Sequence, residues 1–468
     1  MITLRRLHAW LEGSTLFGNP DAVVTRVHTD TRSIQAGDLF VALSGEQFDG
    51  NAFAAEAIAK GAIAVIAQHG LGIKGLQGLQ VVDTKLALGK IAANWRAQFH
   101  LPMIAVTGSN GKTTVTQMIA SILRAHAADA SLATVGNLNN DIGVPLTLMR
   151  LNKNHNIAVV ELGMNHPGEI SYLANIAKPT VVLVNNAQRE HLEFMVSVEA
   201  VAHENGSAIS ELSESGIAVY PADDDHSVIW KKLAKQRKTF TFSMDSADKN
   251  VDVQSIKADW RNGSWQIVAA TPAGQITYSL KIAGRHNVKN SLAAIACALA
   301  ANVPINTIVA GLEAFTPVKG RSFTQTIRFN DHEILLIDDT YNSNPDSMKV
   351  AIDSLAEMDA PRLFVMGDMG EVGEQGLAFH AEAGAYAQKK GIQHLFTFGT
   401  LSQQAAKHFK GALHLESIEA LNDAVANQLD NVSSMLIKGS RFMKMERVSK
   451  HIMAFDKKDK NEESAHVT

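Results

Sequence analysis

The chain has 468 residues, of which 46% are hydrophobic and 19% are charged, and its formal net charge at pH 7 is −4. This length exceeds a single ordinary core, so we expect about two to four domains. The interspersed charges argue against a nucleic-acid partner, and the lack of an apolar stretch of about 18 residues argues against membrane insertion. A start without a signal-peptide core and a single cysteine, Cys297, favour the cytoplasm.

The first 83 residues predict a small α/β unit. Apolar runs and a helical pattern alternate along it, at 39–43, 52–60 and 62–67. A polar triplet stands before them, next to a predicted strand end: Asp30, Thr31 and Arg32. From the residue types alone, a solvated turn is the expected structure of this triplet.

A phosphate-binding loop is predicted where a Gly-rich turn joins an apolar strand at 103–106 to a helix at 115–126. The turn consists of Thr107, Gly108, Ser109, Asn110, Gly111, Lys112, Thr113 and Thr114. Such a turn directs backbone N–H groups and a helix N-terminus at one point, which suits a phosphate. Lys112 is expected to reach the outer phosphates, and the Thr113 hydroxyl is expected to coordinate Mg²⁺. Val106 stands where the commoner loop has a glycine, so an ordinary strand-to-helix turn is the alternative.

Strands and helices alternate after this loop, which predicts a parallel sheet with polar side chains at the carboxyl ends of its strands. Glu161 follows the apolar run 157–160, and His191 lies beyond the run 181–184. Glu161 is placed to reach the Mg²⁺ of a bound nucleotide directly or through water, with a helix-capping or exposed acid as the alternative. His191 is a metal-ligand candidate only in the company of Glu161 and Lys112.

The segment 135–145 is rich in Asn and Gly, so it is expected to be neither strand nor helix interior. Its amide side chains both donate and accept hydrogen bonds and therefore suit a sugar, peptide or phosphate ligand. These side chains are Asn137, Asn139 and Asn140. A plain loop is the alternative.

From 250 to 282 the pattern changes to β-rich alternation, and an Ala-rich helix follows to residue 301. The polar start of that helix contains His286, Asn287 and Asn290. It is either a cap or a contact with adenine and phosphate, and the residue types do not decide between the two. Cys297 lies within the helix, and its thiol is expected in the core. The charged residues 456–468 are expected to lack regular structure.

A second strand–helix alternation begins after Pro317, without a Gly-Lys-Thr of its own. Polar residues again follow its apolar strands, at 338–345, 367–371 and 438–441. We therefore expect an active site in the cleft between this part of the chain and the central part.

These motifs together resemble the Mur ligases of peptidoglycan synthesis. The resemblance covers nearly the whole chain in family order, at 30–32 with 37–40, 107–114, 136–145, 161–165, 284–290, 338–348 and 367–373. Segments 136–140 and 341–345 favour the members that join D-alanyl-D-alanine to UDP-N-acetylmuramoyl-tripeptide. Folylpolyglutamate synthase shares the loop and the ATP chemistry, but it does not need the domain that here precedes Lys112. A nucleotide-dependent switch or scaffold without turnover is an alternative of another class.

The resemblance implies an α/β protein of three domains. They are a small UDP-binding domain at 1–83, a central parallel-sheet ATPase domain at 84–317 and a Rossmann-like C-terminal domain at 318–455. The implied uridine-nucleotide contacts are Asp30, Thr31 and Arg32. The implied ATP contacts are the loop 107–114 with His286, Asn287, Asn290, Arg321, Asp338 and Asp339. The implied contacts to the peptide substrates are Asn137, Asn139, Asn140, Tyr341, Asn342 and Asn344.

The resemblance also implies a reaction that uses ATP and Mg²⁺. We expect the protein to be a monomer. ATP phosphorylates the carboxylate of UDP-N-acetylmuramoyl-tripeptide, and the amine of D-alanyl-D-alanine then attacks the acyl phosphate. The implied catalytic residues are Lys112, Glu161 and His191, with Thr113, Glu161 and His191 on the metal. One position departs from the family. Relatives have a carbamylated lysine fourteen residues after the matching His, where this chain has Asn205, which leaves Glu204 or water for the second metal site.

Overall fold

The computed structural model describes residues 1–45, 48–70, 77–190, 192–244, 250–330 and 332–465. Within these ranges the fold is α/β, as the sequence predicts, and the larger sheets divide the chain into an N-terminal, a central and a C-terminal unit. None of the helices in the described ranges combines the length and the apolar character that a membrane crossing requires.

The N-terminal unit contains, in chain order, β1 (Ile2–Thr3), α1 (Leu4–Trp10), β2 (Thr15–Phe17), β3 (Val23–Val24), β4 (Arg26–His28), β5 (Asp38–Val41), β6 (Ser44–Gly45), β7 (Phe48–Asp49), α2 (Ala54–Ala59), β8 (Ala64–Gln68) and β9 (Gly78–Val81). Its main sheet has the order β2-β9-β8-β5-β4, with β2 antiparallel to β9 and the other neighbours parallel. Leu39, Ile66 and Leu79 of this sheet are fully buried, so the unit has a hydrophobic core of its own.

The central unit contains α3 (Thr84–Arg96), β10 (Met103–Thr107), α4 (Lys112–Ala127), β11 (Ser131–Ala133), α5 (Gly143–Leu148), β12 (Ile157–Glu161), α6 (Glu169–Ala177), β13 (Val181–Val184), α7 (Leu192–Met195), α8 (Val198–Ser210), β14 (Ile217–Pro221), α9 (Ser227–Ala234), β15 (Lys238–Ser243), β16 (Val253–Arg261), β17 (Ser264–Thr271), β18 (Gly274–Leu280), α10 (Arg285–Ala300) and α11 (Ile305–Glu313). Its sheet has the order β11-β12-β10-β13-β14-β15-β16-β17-β18. Neighbouring strands are parallel from β11 to β16, and β16, β17 and β18 pair antiparallel, in agreement with the change of pattern after residue 250.

Alternation along β10 builds a core on each face of the central sheet. Ile104 and Val106 pack with residues of α4 and α10, whereas Met103 and Ala105 pack with residues of α6 and α8. Cys297 of α10 is fully buried in the first of these clusters, and burial raises the pKa of its thiol. The prediction of a core cysteine is confirmed.

The C-terminal unit contains β19 (Phe323–Phe329), β20 (His332–Asp339), α12 (Pro345–Ala356), β21 (Arg362–Gly367), α13 (Gly376–Lys389), β22 (His394–Phe398), α14 (Gln403–Lys407), β23 (Leu413–Leu415), α15 (Ile418–Ala426), β24 (Ser434–Lys438) and α16 (Glu446–Ala465). Its sheet has the order β19-β20-β24-β21-β22-β23. Strand β19 is antiparallel to β20, and the remaining neighbours are parallel.

One expectation about local structure is wrong. Helix α16 continues to Ala465, although the sequence suggests no regular structure from residue 456. Lys and Glu have high helix propensity, and lengthening an existing helix adds a hydrogen bond per residue without a new nucleus. The segment 135–145 forms neither strand nor helix interior, as predicted, and only its last three residues belong to the first turn of α5, which begins at Gly143. Pro145 is tolerated there because the N–H groups of a first helical turn have no intrahelical partner.

Candidate active site

A cavity of about 520 Å³ lies between the central and C-terminal units, at the carboxyl ends of β10, β12, β13, β20 and β24. Polar residues from distant parts of the sequence line it. Those that the sequence singles out are Ser109, Asn110, Gly111, Lys112, Thr113, Thr114, Asn137, Asn139, Asn140, Glu161, His286, Asn287, Asn290, Arg321, Asp339, Tyr341, Asn342 and Asn344. The fold therefore gathers most of the predicted ATP and peptide contacts around one space.

The loop between β10 and α4 requires glycine at two positions. Gly108 has a φ of +131°, and a Cβ there would lie 3.0 Å from the Cβ of Asn185. Gly111 has a φ of +80°, and a Cβ there would lie 2.7 Å from Oδ1 of Asn290. At both positions a side chain would meet close neighbours, in a left-handed backbone conformation that favours glycine. The turn made possible in this way starts α4 at Lys112 and brings the N-terminus of that helix to the cavity.

Amide side chains hold this loop against the end of β13. The backbone N–H of Asn110 donates to Oδ1 of Asn186 (2.8 Å), and Nδ2 of Asn185 donates to the carbonyl oxygen of Asn110 (2.8 Å). Nδ2 of Asn110 also donates to Oε1 of Gln188 (2.6 Å). Because each of these bonds joins residues about 75 positions apart, the loop geometry is a property of the tertiary structure.

Lys112 is held by three acceptors of the central unit. Its Nζ donates to the carbonyl oxygens of Gly108 (2.6 Å) and Ser109 (3.0 Å) and forms an ion pair with Oε1 of Glu190 (2.7 Å). The side chains of Lys112 and Glu190 are only 14% and 11% exposed. The ion pair is therefore largely shielded from water. Charge interactions at such a buried position are stronger than at a surface.

Glu161 ends β12 beside Thr113 and receives two hydrogen bonds on one oxygen. The Thr113 hydroxyl and Nδ2 of Asn139 donate to Oε1 of Glu161 at 3.0 and 2.7 Å. Its Oε2 is buried and has no hydrogen-bond partner among the described residues. A buried, unpartnered carboxylate oxygen next to a threonine hydroxyl suits Mg²⁺, which keeps water and phosphate oxygens among its ligands.

Thr113 and Glu161 do not belong to a larger group of metal-binding side chains among the described residues. Within the described part of the chain, no three His, Cys, Asp or Glu side chains come together as a metal cluster. His191, the remaining predicted metal ligand, lies outside the described residues.

The polar side chains at the start of α10 stabilise the helix start, and they also line the cavity. Nδ2 of Asn287 donates to the carbonyl oxygen of Ala283 (2.7 Å), and Nδ2 of Asn290 donates to Oδ1 of Asn287 (2.9 Å), so these amides stabilise the helix start. Both amides and His286 also line the cavity. Burial lowers the pKa of His286 to about 4. Its imidazole is therefore a neutral hydrogen-bonding group near pH 7.

The structure separates the two acids at the end of β20. Asp339 lines the cavity, and its Oδ2 accepts a hydrogen bond from Nζ of Lys438 (2.6 Å). Asp338 is buried, accepts a hydrogen bond from the Thr340 hydroxyl (2.7 Å) and has a pKa that burial raises. Consecutive side chains of a strand face opposite sides. Asp339 is therefore the acid of this pair that lines the cavity, whereas Asp338 does not line it.

Other residues of the C-terminal unit complete the cavity wall. The guanidinium of Arg321 lies 4.0 Å from the centre of the Tyr341 ring, within cation–π range. Asn344 caps α12 by accepting a hydrogen bond from the backbone N–H of Ser347. Its Nδ2 also donates to Oδ1 of Asn110 (2.9 Å), which joins the phosphate loop directly to the C-terminal unit.

A second junction between these units is built on Arg189. Its backbone N–H donates to Oδ2 of Asp346 (2.8 Å), and its guanidinium donates to Oδ1 of Asp346 (2.9 Å from Nε) and to Oε2 of Glu382 (3.1 Å from Nη1). The same guanidinium stacks over the Phe379 ring at 5.2 Å from its centre. The central and C-terminal units are thus clamped together next to the cavity.

The triplet 30–32 lies in the N-terminal unit, away from this cavity. Thr31–Ser33 form a short 3-10 turn that Asp30 caps. The Arg32 guanidinium donates to Asp30 (Nη2 to Oδ2, 2.6 Å) and holds the pKa of that carboxyl well below its usual range. The side chain of Arg32 is 87% exposed. The solvated turn expected from the residue types is confirmed.

Asn205 is a structural partner of the phosphate loop. Its Oδ1 accepts hydrogen bonds from the Thr107 hydroxyl (2.6 Å) and from the backbone N–H of Gly108 (2.9 Å), and these three residues do not line the cavity. The carboxylate of Glu204 accepts from the backbone N–H groups of Gly168 and Ile170, both at 2.9 Å, and so caps α6. Glu204 thus acts as a helix cap and does not line the cavity.

Sequence reasoning misses several side chains of the site. Lys438, at the end of β24, belongs to the predicted strand-end cluster 438–441, but the sequence does not show that it pairs with Asp339. Gln188 and Glu190 carry no such signal, because their contacts to Asn110 and Lys112 span 78 positions.

Comparisons with known proteins identify the family. Family models for the Mur ligase family catalytic domain, the Mur ligase middle domain and the Mur ligase glutamate ligase domain match residues 23–96, 106–298 and 324–441. The chain is 38% identical to the UDP-N-acetylmuramoyl-tripeptide–D-alanyl-D-alanine ligase of Haemophilus influenzae, over 92% of this chain and 94% of that ligase. It is similar to the crystal structure of MurF from Acinetobacter baumannii, with a TM-score of 0.89, 33% identity and coverage of 97% of this chain and 98% of that chain. It is also similar to MurF ligase from Thermotoga maritima in complex with ADP, with a TM-score of 0.83, 25% identity and coverage of 94% and 99%. The chain belongs to the Mur ligase family.

Proposed function

We propose that this protein is an ATP-dependent ligase that joins D-alanyl-D-alanine to UDP-N-acetylmuramoyl-tripeptide and releases ADP and phosphate. One observation carries the proposal: the phosphate loop and the polar strand ends of the C-terminal unit line a single cavity, in a chain that covers 94% of a ligase with this activity in its name. The reaction would complete the precursor peptide of peptidoglycan, and so serve cell shape and division, in the cytoplasm and by a monomer.

The triphosphate of ATP would lie along the loop 108–114. Backbone N–H groups at the start of α4 and the ammonium of Lys112 face this position, and fixed donors of this kind stabilise the charge that develops during phosphoryl transfer. Arg321 adds a cation from the C-terminal unit. The neutral imidazole of His286, with Asn287 and Asp339, would contact the nucleoside end.

The residues at the Glu161 carboxylate fit a bound Mg²⁺. Thr113 and Glu161 would hold the ion, and His191 is its further predicted ligand. When bound, Mg²⁺ neutralises phosphate charge and polarises the phosphoryl group. Asn139, which donates to the same carboxylate, would keep the other oxygen of Glu161 facing the ion.

The two peptide substrates would approach from different units. Asp30, Thr31 and Arg32 would bind the uridine nucleotide, and Asn137, Asn139 and Asn140 would guide the tripeptide to the cavity. Tyr341, Asn342 and Asn344 would position the incoming dipeptide. Because Asn344 also bonds to Asn110, the dipeptide site is tied to the phosphate loop.

Amide formation would proceed in two displacements. An oxygen of the tripeptide carboxylate attacks the γ-phosphorus, ADP leaves, and an acyl phosphate forms. The amine of D-alanyl-D-alanine attacks the acyl carbon, and the tetrahedral intermediate expels phosphate as the amine proton is lost. The clamp at Arg189 would hold the units closed during this time, which limits hydrolysis of the acyl phosphate by water.

The test is a phosphate-release assay with each substrate omitted in turn. We expect release only when ATP, the UDP-linked tripeptide and D-alanyl-D-alanine are all present, together with the product detected by mass. Folate and glutamate in place of the two peptides provide the control for folylpolyglutamate synthase. Release with the folate pair, or release independent of both acceptors, would contradict the proposal.

A further inference from the structure

The ammonium of Lys112 is fully used within the protein. An ammonium group has three donors, and here they serve the carbonyl oxygens of Gly108 and Ser109 and the carboxylate of Glu190. The proposed function assigns the same ammonium to the outer phosphates of ATP. At least one of the three present bonds must therefore give way when a triphosphate binds.

Glu190 is the contact that a phosphate replaces. The two carbonyl groups belong to the loop itself and stay beside Lys112, whereas the carboxylate offers the same chemistry as a phosphate oxygen, an anionic acceptor at 2.7 Å. We propose that Glu190 is a positioning residue that competes with the phosphates of ATP for Lys112 and thereby lowers the affinity for ATP. This inference rests on the proposed use of ATP.

Electrostatics gives the direction of the effect. The side chain of Glu190 is 11% exposed, so little water separates its charge from anions in the cavity that it lines. A bound triphosphate would both remove Lys112 from Glu190 and repel that carboxylate. Binding of ATP must therefore break the ion pair between Lys112 and Glu190. The apparent affinity is then lowered, as it is for a protein whose binding-competent state is only partly populated.

The segment that carries Glu190 links this competition to the C-terminal unit. Arg189, the preceding residue, is bound to Asp346 and Glu382, and Gln188 is bound to Asn110 of the loop. The clamp between the units thus fixes the backbone on which Glu190 stands. Because Arg189 and Glu190 are adjacent, we expect release of Glu190 from Lys112 and loosening of the clamp to be coupled.

The opposite role for Glu190 makes an opposite prediction. If the carboxylate oriented Lys112 towards the phosphates, its removal would weaken ATP binding. If it competes, its removal tightens binding. The isosteric change Glu190→Gln removes the charge and keeps the shape, so the sign of the change in affinity decides between the two roles.

The experiment measures the dissociation constants of AMP-PNP with Mg²⁺, and of AMP, by calorimetry on the full-length protein. We expect Glu190→Gln to lower the AMP-PNP constant about tenfold, as when a competent state rises from about a tenth of the population to most of it. The AMP constant should not change, because AMP lacks the outer phosphates. Glu199→Gln, at an exposed acid of α8, is the control for net charge and should change neither constant.

An unchanged or higher AMP-PNP constant in Glu190→Gln would overturn the inference. So would equal changes for AMP-PNP and AMP, which indicate a general change of the fold, or a higher Mg²⁺ requirement, which indicates a metal role. Glu190→Ala, with the same expected direction, serves if the Gln variant does not fold.

Amide formation by the unmodified protein is measured on the same preparation. Its absence would contradict the proposed ligase activity, whereas its presence with unchanged AMP-PNP affinity would contradict only the competition.

Discussion

The phosphate loop and the triplet 30–32 differ in what holds their charged groups. In the loop, Lys112 is 14% exposed and fixed by partners that lie up to 78 positions away. In the triplet, Arg32 is 87% exposed, and its guanidinium contacts an acid two positions away. The first arrangement is built by the tertiary structure, and the second is built by local sequence.

This difference predicts different contributions to function. Charges that are fixed and shielded need no reorganisation when a transition state forms, so they act on the rate. An exposed guanidinium that pairs only with a neighbouring acid is screened by salt, so it acts mainly on the binding of one ligand. Substitutions at the two places should therefore differ in size and in the kinetic constant that they change.

Lys112→Ala tests the shielded site and should have the largest effect. We expect the fold to persist and kcat to fall by about 10²–10³, the usual loss when a fixed donor to developing charge is removed. The measurement is turnover at saturating ATP, with the denaturant midpoint as the control for folding. Near-normal turnover would contradict the role of Lys112 and remove one side of the comparison.

Arg32→Ala tests the exposed site. The affinity for the UDP-linked tripeptide should fall by roughly tenfold, because a solvent-screened contact between the guanidinium and a phosphate is lost. Affinity for ATP should not change. Arg5→Ala is a matched control, because Arg5 pairs with Asp21 at a similarly exposed position of the same unit. Calorimetry that shows equal affinities in Arg32→Ala and the unmodified protein would remove the triplet from the substrate site.

The same contrast explains what the sequence could predict. Periodicity and glycine positions identify the order of strands and helices, the phosphate loop and the strand-end clusters, because these are local patterns. Asp339 and Asp338 show the limit, since the face of a strand that meets a cleft depends on how β20 lies in its sheet. Glu190 shows it more strongly, because its partner is determined only when β13 lies next to β10.

A third prediction concerns a buried histidine in the C-terminal unit. Nδ1–H of His380 donates to the carbonyl oxygen of Gly376 (2.6 Å), and Nε2 accepts from the backbone N–H of Met369 (2.9 Å). The neutral ring satisfies both bonds, and a second ring proton would break the bond to Met369. Burial accordingly lowers the pKa of His380, and it lowers that of His286 to about 4.

These two shifts predict a loss of stability in mild acid. Well above pH ~6.5 both histidines are neutral in the folded and unfolded chain, so they add no pH dependence there. Below this pH the unfolded chain binds protons that the folded chain does not, and the free energy of unfolding should fall by about 1 kcal/mol per pH unit for each group. Urea midpoints between pH 7.5 and 5.5 measure the slope. His380→Gln should flatten it, and His126→Gln, at an exposed position of α4, should leave it unchanged. Equal slopes in all three proteins would contradict the assignment.

Asn205 tests whether the loss of any buried side chain near the phosphate loop lowers the rate as much as the loss of Lys112 does. Asn205 is 1% exposed and supports the phosphate loop, but it does not line the cavity. We expect Asn205→Ala to cost about a hydrogen bond, ~0.5–1.5 kcal/mol, or roughly up to tenfold in rate. The loss arises because Gly108 and Thr107 lose their shared acceptor. Steady-state turnover measures this cost.

Bicarbonate separates this structural role from the lysine of the relatives. A carbamate forms from CO₂ and an uncharged amine, and an asparagine amide is not such an amine. Removal of bicarbonate should therefore leave the rate of the unmodified protein unchanged, with Asn205→Ala as the matched variant. A rate that depends on bicarbonate would show that another residue supplies the carbamate.

Asn205→Lys provides the sharper comparison, because its ammonium must replace an acceptor of two hydrogen bonds in a buried site. We expect that variant to lose more activity than Asn205→Ala. Rescue of its activity by bicarbonate would show that a carbamate oxygen can take over the bonds to Thr107 and Gly108, and that this site retains the geometry of the family.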